Sequence, residues 1–187
     1  MAAVQVNKEP IRHPDCCLSL SSTLLDKLTI TLIRVGAEAG RLVLSIGSGS
    51  GLLEALLLEK WSTSAGAILS IEGIEVQQSV STSLNKFLPE QHHSSVKGTW
   101  DLSPRAADAS ALMFVYPRNP DLVSGYLQSY ALSTDAALDT VIYLGPKCDW
   151  AEFEQCFSGL NGWSTNVVPD EESGLLEYEM LAVAERR

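Results

Sequence analysis

The sequence predicts one α/β domain with a mainly parallel, doubly wound sheet. Helix-like and strand-like patterns alternate from Arg41 to Phe157. A glycine-rich turn, Gly47-Ser48-Gly49-Ser50-Gly51, joins an apolar strand to a run of strong helix formers. Two strand-like runs close the chain with no helix between them, which implies a last strand antiparallel to its neighbours.

The elements follow in order. Residues 1–16 read as irregular, because Pro10 and Pro14 interrupt any helix. From Leu18 to Val35, Leu24, Leu25, Leu28, Leu32 and Val35 share one helical face. Ser21 or Ser22 is a candidate cap, and Gly36 and Gly40 bracket the end. Arg41–Ile46 is a strand, and the helix after the glycine turn starts at Leu52 and runs to Lys60. Ala67–Val76 reads as the next strand, Gln77–Leu88 as a helix and Ser95–Trp100 as a weaker strand. Asp101–Ser110 carries little pattern beyond a short helix. Ala111–Tyr116 is a strand, and Asn119-Pro120-Asp121 opens a helix to about Leu132, with Asn as cap and Pro at the first helical position. Asp139–Leu144 is a strand and Asp149 starts a helix through Phe157, where Trp150 packs the helix on the sheet. Trp163–Val168 and Leu176–Glu185 form the closing pair across Pro169–Gly174.

Composition narrows the function classes. The chain has 187 residues, 45% of them hydrophobic, which suits one core. The apolar runs Ala111–Tyr116 and Ala136–Leu144 are far shorter than the ~20 residues a membrane helix needs. Met1–Pro14 has no apolar stretch of the secretory type, so a soluble, cytoplasmic protein is expected. Thirteen basic against 23 acidic residues give a net charge of −10, with no basic cluster. Nucleic acid and membrane surfaces are therefore not expected partners; a small-molecule substrate or a partner protein is. Cys16, Cys17, Cys148 and Cys156 form no CxxC and lack a histidine at ligand spacing, so reduced, mostly buried thiols and no metal are expected. His92 and His93 fall in a polar stretch read as an exposed loop.

The glycine spacing carries the chemistry. Glycines at 47, 49 and 51 allow a sharp turn, positive φ and close backbone approach to a ligand at a helix N-terminus. A dinucleotide loop of GxGxxG type would need glycine where Leu52 stands, and a phosphate-binding P-loop would need Gly-Lys-Ser/Thr. Leu44-Ser-Ile-Gly-Ser-Gly-Ser-Gly51 instead resembles motif I of class I S-adenosylmethionine-dependent methyltransferases, and the resemblance runs from about residue 41 to the end. It implies a Rossmann-like, mainly parallel seven-stranded sheet with an antiparallel C-terminal strand in residues 41–187. Residues 1–40 become an N-terminal extension and cap helix, also a candidate surface for a homodimer.

The same resemblance assigns candidate residues. Gly47, Ser48, Gly49 and Gly51 hold the cofactor, and Glu75 in Gly73-Ile-Glu-Val76 accepts the ribose hydroxyls, with Glu72 as runner-up. The family often has an acid two residues before the first glycine, where this chain has Ser45. It often has Gly-Asp after the third strand, where this chain has Gly98-Thr99, with Trp100 and Asp101 beside it. A hydroxyl does not supply the charge that pairs with an ammonium group. Strand four ends in Phe114-Val-Tyr-Pro-Arg-Asn-Pro120, which is not the Asp/Asn-Pro-Pro-Tyr motif of some amine-methylating relatives. Tyr116 and Arg118 still fall where an acceptor is expected. The function implied is methyl transfer from S-adenosylmethionine to a small molecule. The alternative is a methyltransferase-like protein without methyl transfer, acting as an interaction subunit or using the pocket for another reaction.

Overall fold

The computed structural model describes residues 4–33, 40–63, 69–77, 84–132 and 137–187. The chain opens with a small antiparallel hairpin, β1 (Ile11–His13) and β2 (Cys16–Leu20), followed by α1 (Ser22–Leu32). Then come β3 (Arg41–Ile46), α2 (Leu52–Thr63), β4 (Leu69–Val76) and β5 (His93–Val96). After a one-turn 3₁₀ helix at Pro104–Ala107, β6 (Ala111–Val115), α3 (Pro120–Tyr130), β7 (Thr140–Pro146) and α4 (Trp150–Ser158) complete the alternation. The chain closes with β8 (Trp163–Val167), the single turn α5 (Asp170–Ser173) and β9 (Glu179–Arg186).

The main sheet has seven strands in the order β5-β4-β3-β6-β7-β9-β8. The pairs from β5 to β7 are parallel, and β9 runs antiparallel to both β7 and β8. Strand order reverses between β3 and β6, which opens a crevice beyond their carboxyl ends where ligands of such sheets bind. One face is covered by α1, α2 and β2, through Leu18, Leu24, Leu28, Leu53 and Leu57. The other is covered by α3 and α4, where Tyr143 meets Trp150 and Phe153 with ring centroids 5.0 and 5.2 Å apart. At the opposite, amino-terminal edge, Arg41 forks onto Asp139 at 2.6 and 2.8 Å and joins β3 to the start of β7. A bidentate pair of this kind fixes geometry as well as charge.

Several expectations need correction. Residues 11–20 form a hairpin, not irregular chain and helix, because Leu18 and Leu20 alternate inward along β2. The helix starts at Ser22, with Ser21 as its cap accepting from the Leu24 N–H at 2.9 Å. It ends at Leu32, and the expected continuation to Val35 and Gly36 lies outside the described residues. Most of the helix expected over 77–88 also lies outside them, but residues 84–88 form turns. The third strand begins two residues early, at His93, and ends at Val96. His92 is half-buried, its ring Nδ1 3.0 Å from the Ile71 carbonyl oxygen, so this pair is not a free loop. The thiols are free as expected, but not mostly buried: Cys17 and Cys148 are exposed, and Cys16 and Cys156 are half-buried.

Candidate functional site

The glycine turn leaves the carboxyl end of β3 with three residues in the left-handed region, Gly47 at φ 78°, Gly49 at 59° and Gly51 at 77°. Side chains at 47 and 49 would project into open space, so there the loop presents bare backbone. A side chain at Gly51 would instead strike Leu88, 2.8 Å away. The segment over 84–88 is pinned to the turn: the Asn85 N–H donates to the Gly49 carbonyl at 2.8 Å and the Phe87 N–H to Ser50 at 3.1 Å. The Ser48 hydroxyl donates to Asn85 Oδ1 at 2.6 Å.

Glu75, at the end of β4, faces this turn. Its carboxylate accepts the Gly49 N–H at 2.7 Å and its neighbour Val76 N–H at 3.1 Å. Glu72, the runner-up, is turned to other work, accepting from Ser94 at 2.8 Å and pairing with Arg105 at 3.0 Å. Geometry therefore favours Glu75 as the acid beside the loop. Its two oxygens retain lone pairs for further donors, such as a pair of hydroxyls.

Ser45 is fully buried and its hydroxyl donates to Glu54 Oε1 at 2.6 Å. Glu54 stands in the first turn of α2, is 1% exposed, and its second oxygen has no hydrogen-bond partner. Burial pushes its carboxyl up to about 7, opposed by hydrogen bonding from the Ser45 hydroxyl and from its own backbone N–H and reinforced by the nearby negative charge of Glu75. Sequence reasoning missed Glu54, because an acid in a first helical turn reads as a response to the helix dipole. The available signal was its position among Leu52, Leu53, Leu56 and Leu57, all buried.

Thr99, Trp100 and Asp101 form a turn beyond β5, two strands from the glycine loop. Asp101 closes it by accepting from the Gly98 N–H at 2.9 Å, and Trp100 is 60% exposed. These residues share the carboxyl edge of the sheet with the glycine turn, but among the described residues no hydrogen bond links the two.

Across the crevice, Tyr116 follows β6 in the left-handed region at φ 49°. A non-glycine residue there is uncommon and held by its surroundings. Its hydroxyl donates to Glu179 Oε1 at 2.6 Å, and the Tyr116 N–H donates to the Leu144 carbonyl at 2.7 Å. Burial and the Glu179 carboxylate push the phenol well above its usual range. Glu179, 1% exposed at the start of β9, also accepts the Ser19 N–H at 3.1 Å and the Ser19 hydroxyl. Tyr116 thus helps clamp β2 to the sheet.

Arg118 is exposed and lines an open cleft of 380 Å³ with Cys17, Tyr116, Asp149, Glu152 and Phe153. The amino-terminal hairpin, rather than α1, reaches over this edge. Its turn is tied to the glycine loop by Ser50 donating to the Asp15 carbonyl at 2.5 Å, and to residue 86 by the Lys86–Asp15 pair at 2.5 Å. Burial lifts the Cys16 thiol to about 12, and the charge of Glu54 adds to the rise. Among the described residues, no group of three His, Cys, Asp or Glu is placed to hold a metal, and no helix is long and apolar enough to cross a membrane.

No protein-family model matches the chain, and no curated protein matches it. Solved structures do. The methyltransferase domain of bacterial CtHen1-CN is 17% identical, covers 87% of this chain and 97% of its own, and superposes with a TM-score of 0.56. The plantazolicin methyltransferase BpumL in complex with SAH is 11% identical, with 88% and 83% covered and a TM-score of 0.59. The B. subtilis m1A22 tRNA methyltransferase TrmK is 12% identical, with 88% and 65% covered and a TM-score of 0.52. At these identities the likeness is one of fold. The chain has the class I methyltransferase-like fold, with the sheet order and antiparallel last strand described above.

Proposed function

We propose that the protein binds S-adenosylmethionine at the glycine turn and transfers its methyl group to a small-molecule acceptor in the cytoplasm. The observation that carries this reading is the pairing of bare backbone at Gly47 and Gly49 with the Glu75 carboxylate, 2.7 Å from the Gly49 N–H. That arrangement fits a ligand with a ribose to hold and a body that lies against the loop. Gly47, Ser48, Gly49 and Gly51 would carry the cofactor and Glu75 its ribose hydroxyls, while the Thr99–Asp101 turn would border the adenine side. When bound, the cofactor supplies an activated methyl group, so the chain's contribution is positioning and exclusion of water. Tyr116 and Arg118 border the acceptor cleft, with Arg118 available for an anionic group.

One observation favours a second reading, a methyltransferase-like protein that does not transfer methyl groups. The turn satisfies much of its own backbone: Gly47 and Ser48 N–H donate to the Ile74 carbonyl at 2.9 and 3.3 Å, and Gly51 N–H donates to Ser48 at 2.9 Å. A loop so closed can persist as scaffold. Calorimetric titration with S-adenosylmethionine and S-adenosylhomocysteine separates the two. Binding at about micromolar Kd, near −8 kcal/mol, that is lost in Gly49→Arg and weakened in Glu75→Ala, supports the enzyme. No binding up to millimolar ligand refutes it for this chain alone.

A further inference from the structure

Glu54 is unusual for its surroundings. It is buried among leucines, with one oxygen held by Ser45 at 2.6 Å and Oε2 without partner or solvent. Among the described residues no hydrogen bond or ion pair from Lys, Arg or His reaches it; its charged neighbour is Glu75, of the same sign. A carboxylate with an unpaired buried oxygen weakens a fold, whereas a leucine in this environment would strengthen it. Capping of α2 does not explain the choice either, since an exposed acid would serve the helix dipole as well.

The location suggests what compensates. Ser45 is the penultimate residue of β3, just ahead of the turn, and Glu54 lies three residues past Gly51. The Glu54 carboxylate, bonded to Ser45, therefore stands immediately beside the turn whose backbone is open at Gly47 and Gly49. Cys16 of β2 lies close enough for the charge of Glu54 to act on its thiol, so the hairpin packs near this corner. We infer that Glu54 is an ammonium-binding carboxylate, with Ser45 orienting it and its unpaired oxygen receiving the amino group of the bound cofactor's amino-acid end. This inference rests on the cofactor reading above. A primary ammonium is compact and can direct one of its three donors at the unsatisfied oxygen.

The test compares two probes that share the adenosine but differ at the amino-acid end. S-adenosylhomocysteine carries the ammonium; 5′-methylthioadenosine lacks the whole amino-acid group. Both are titrated at pH 8 into wild type and Glu54→Gln, with thermal melting to confirm folding. Loss of a charge-assisted contact predicts about tenfold weaker S-adenosylhomocysteine binding, with 5′-methylthioadenosine unchanged within about twofold. Equal weakening of both probes overturns the inference, since Glu54 then only shapes the turn. Unchanged S-adenosylhomocysteine affinity overturns it as well. If Glu54→Gln does not fold, Ser45→Ala removes the orienting hydroxyl and the same selectivity is expected. Wild type that binds neither probe refutes the cofactor reading itself, and the assignment of Glu54 with it.

Discussion

Replacing Glu54 by Gln should make the ligand-free protein more stable at pH 8 and about 1 kcal/mol less stable near pH 4.5. The folded protein holds the Glu54 proton more tightly than the unfolded chain, since burial raises its carboxyl from 4.5 to about 7. The stability this group contributes is therefore greatest below pH 4.5 and is lost as pH rises through about 7. At 1.36 kcal/mol per pH unit, that window corresponds to about 3 kcal/mol. The groups facing Glu54 do not obscure it. Ser45 on β3 is neutral, Cys16 on β2 stays protonated because burial pushes its thiol up to about 12, and Glu75 on β4 is present in both proteins alike. Gln keeps an acceptor for the Ser45 hydroxyl but brings an amide donor pair that stays unpaired, a loss of about 1 kcal/mol. The net expected gain at pH 8 is about 2 kcal/mol, read by urea denaturation of both proteins at pH 5 and pH 8. Equal stability at pH 8, with the same pH slope in both proteins, would show that Glu54 is not a buried, unpaired acid.

Other outcomes follow from the same contacts. Glu179→Ala leaves the Tyr116 hydroxyl and both donors of Ser19 without their acceptor. A loss of about 3 kcal/mol is expected in denaturation, together with faster alkylation of Cys16 as β2 loosens; unchanged alkylation would mean β2 is held elsewhere. Gly174→Ala places a methyl 2.5 Å from the Leu24 N atom and 2.6 Å from Ser21 Oγ, at φ 67°. It should lower stability by about 2 kcal/mol, and a neutral result would mean α1 and its cap shift freely. Arg118→Ala touches an exposed side chain with no ion pair among the described residues, so stability should change by under about 0.5 kcal/mol. Cofactor affinity should also hold, while the KM for an anionic acceptor rises; a loss of cofactor affinity would place Arg118 on the wrong side of the crevice.

The fold was largely legible because the central strands β3, β6 and β7 are apolar runs between turn signals, and β7 is buried nearly throughout. The start of α3 was readable to the residue: the Asn119 side chain accepts the Asp121 N–H at 2.7 Å, with Pro120 in the first helical position. The hairpin at residues 11–20 was not read, because Pro10 and Pro14 made residues 1–16 look irregular while Leu18 was absorbed into the helical segment read from Leu18 to Val35. Its stability comes from partners remote in sequence, Glu179 for Ser19 and Ser50 for Asp15. The candidate site divides in the same way. Glycine conformations and the acid at 75 are local properties of a strand end and a turn. Glu54 and Glu179 matter through what surrounds them, and neither type nor spacing distinguishes a buried acid from a solvated one. Ser45 appeared as a missing charge, and only the packing shows a carboxylate reaching back to it from α2.

Whether the glycine turn and Glu75 together form a cofactor site is decided by amide-resolved NMR during titration with S-adenosylhomocysteine. The Gly49 N–H already donates to Glu75, so hydroxyls arriving on that carboxylate alter the Gly49 hydrogen bond. Saturable shifts are expected that are largest at Gly47, Gly49 and Val76 and absent in Gly49→Arg. Saturable shifts confined to other parts of the fold, or none at millimolar ligand, would contradict a cofactor site there.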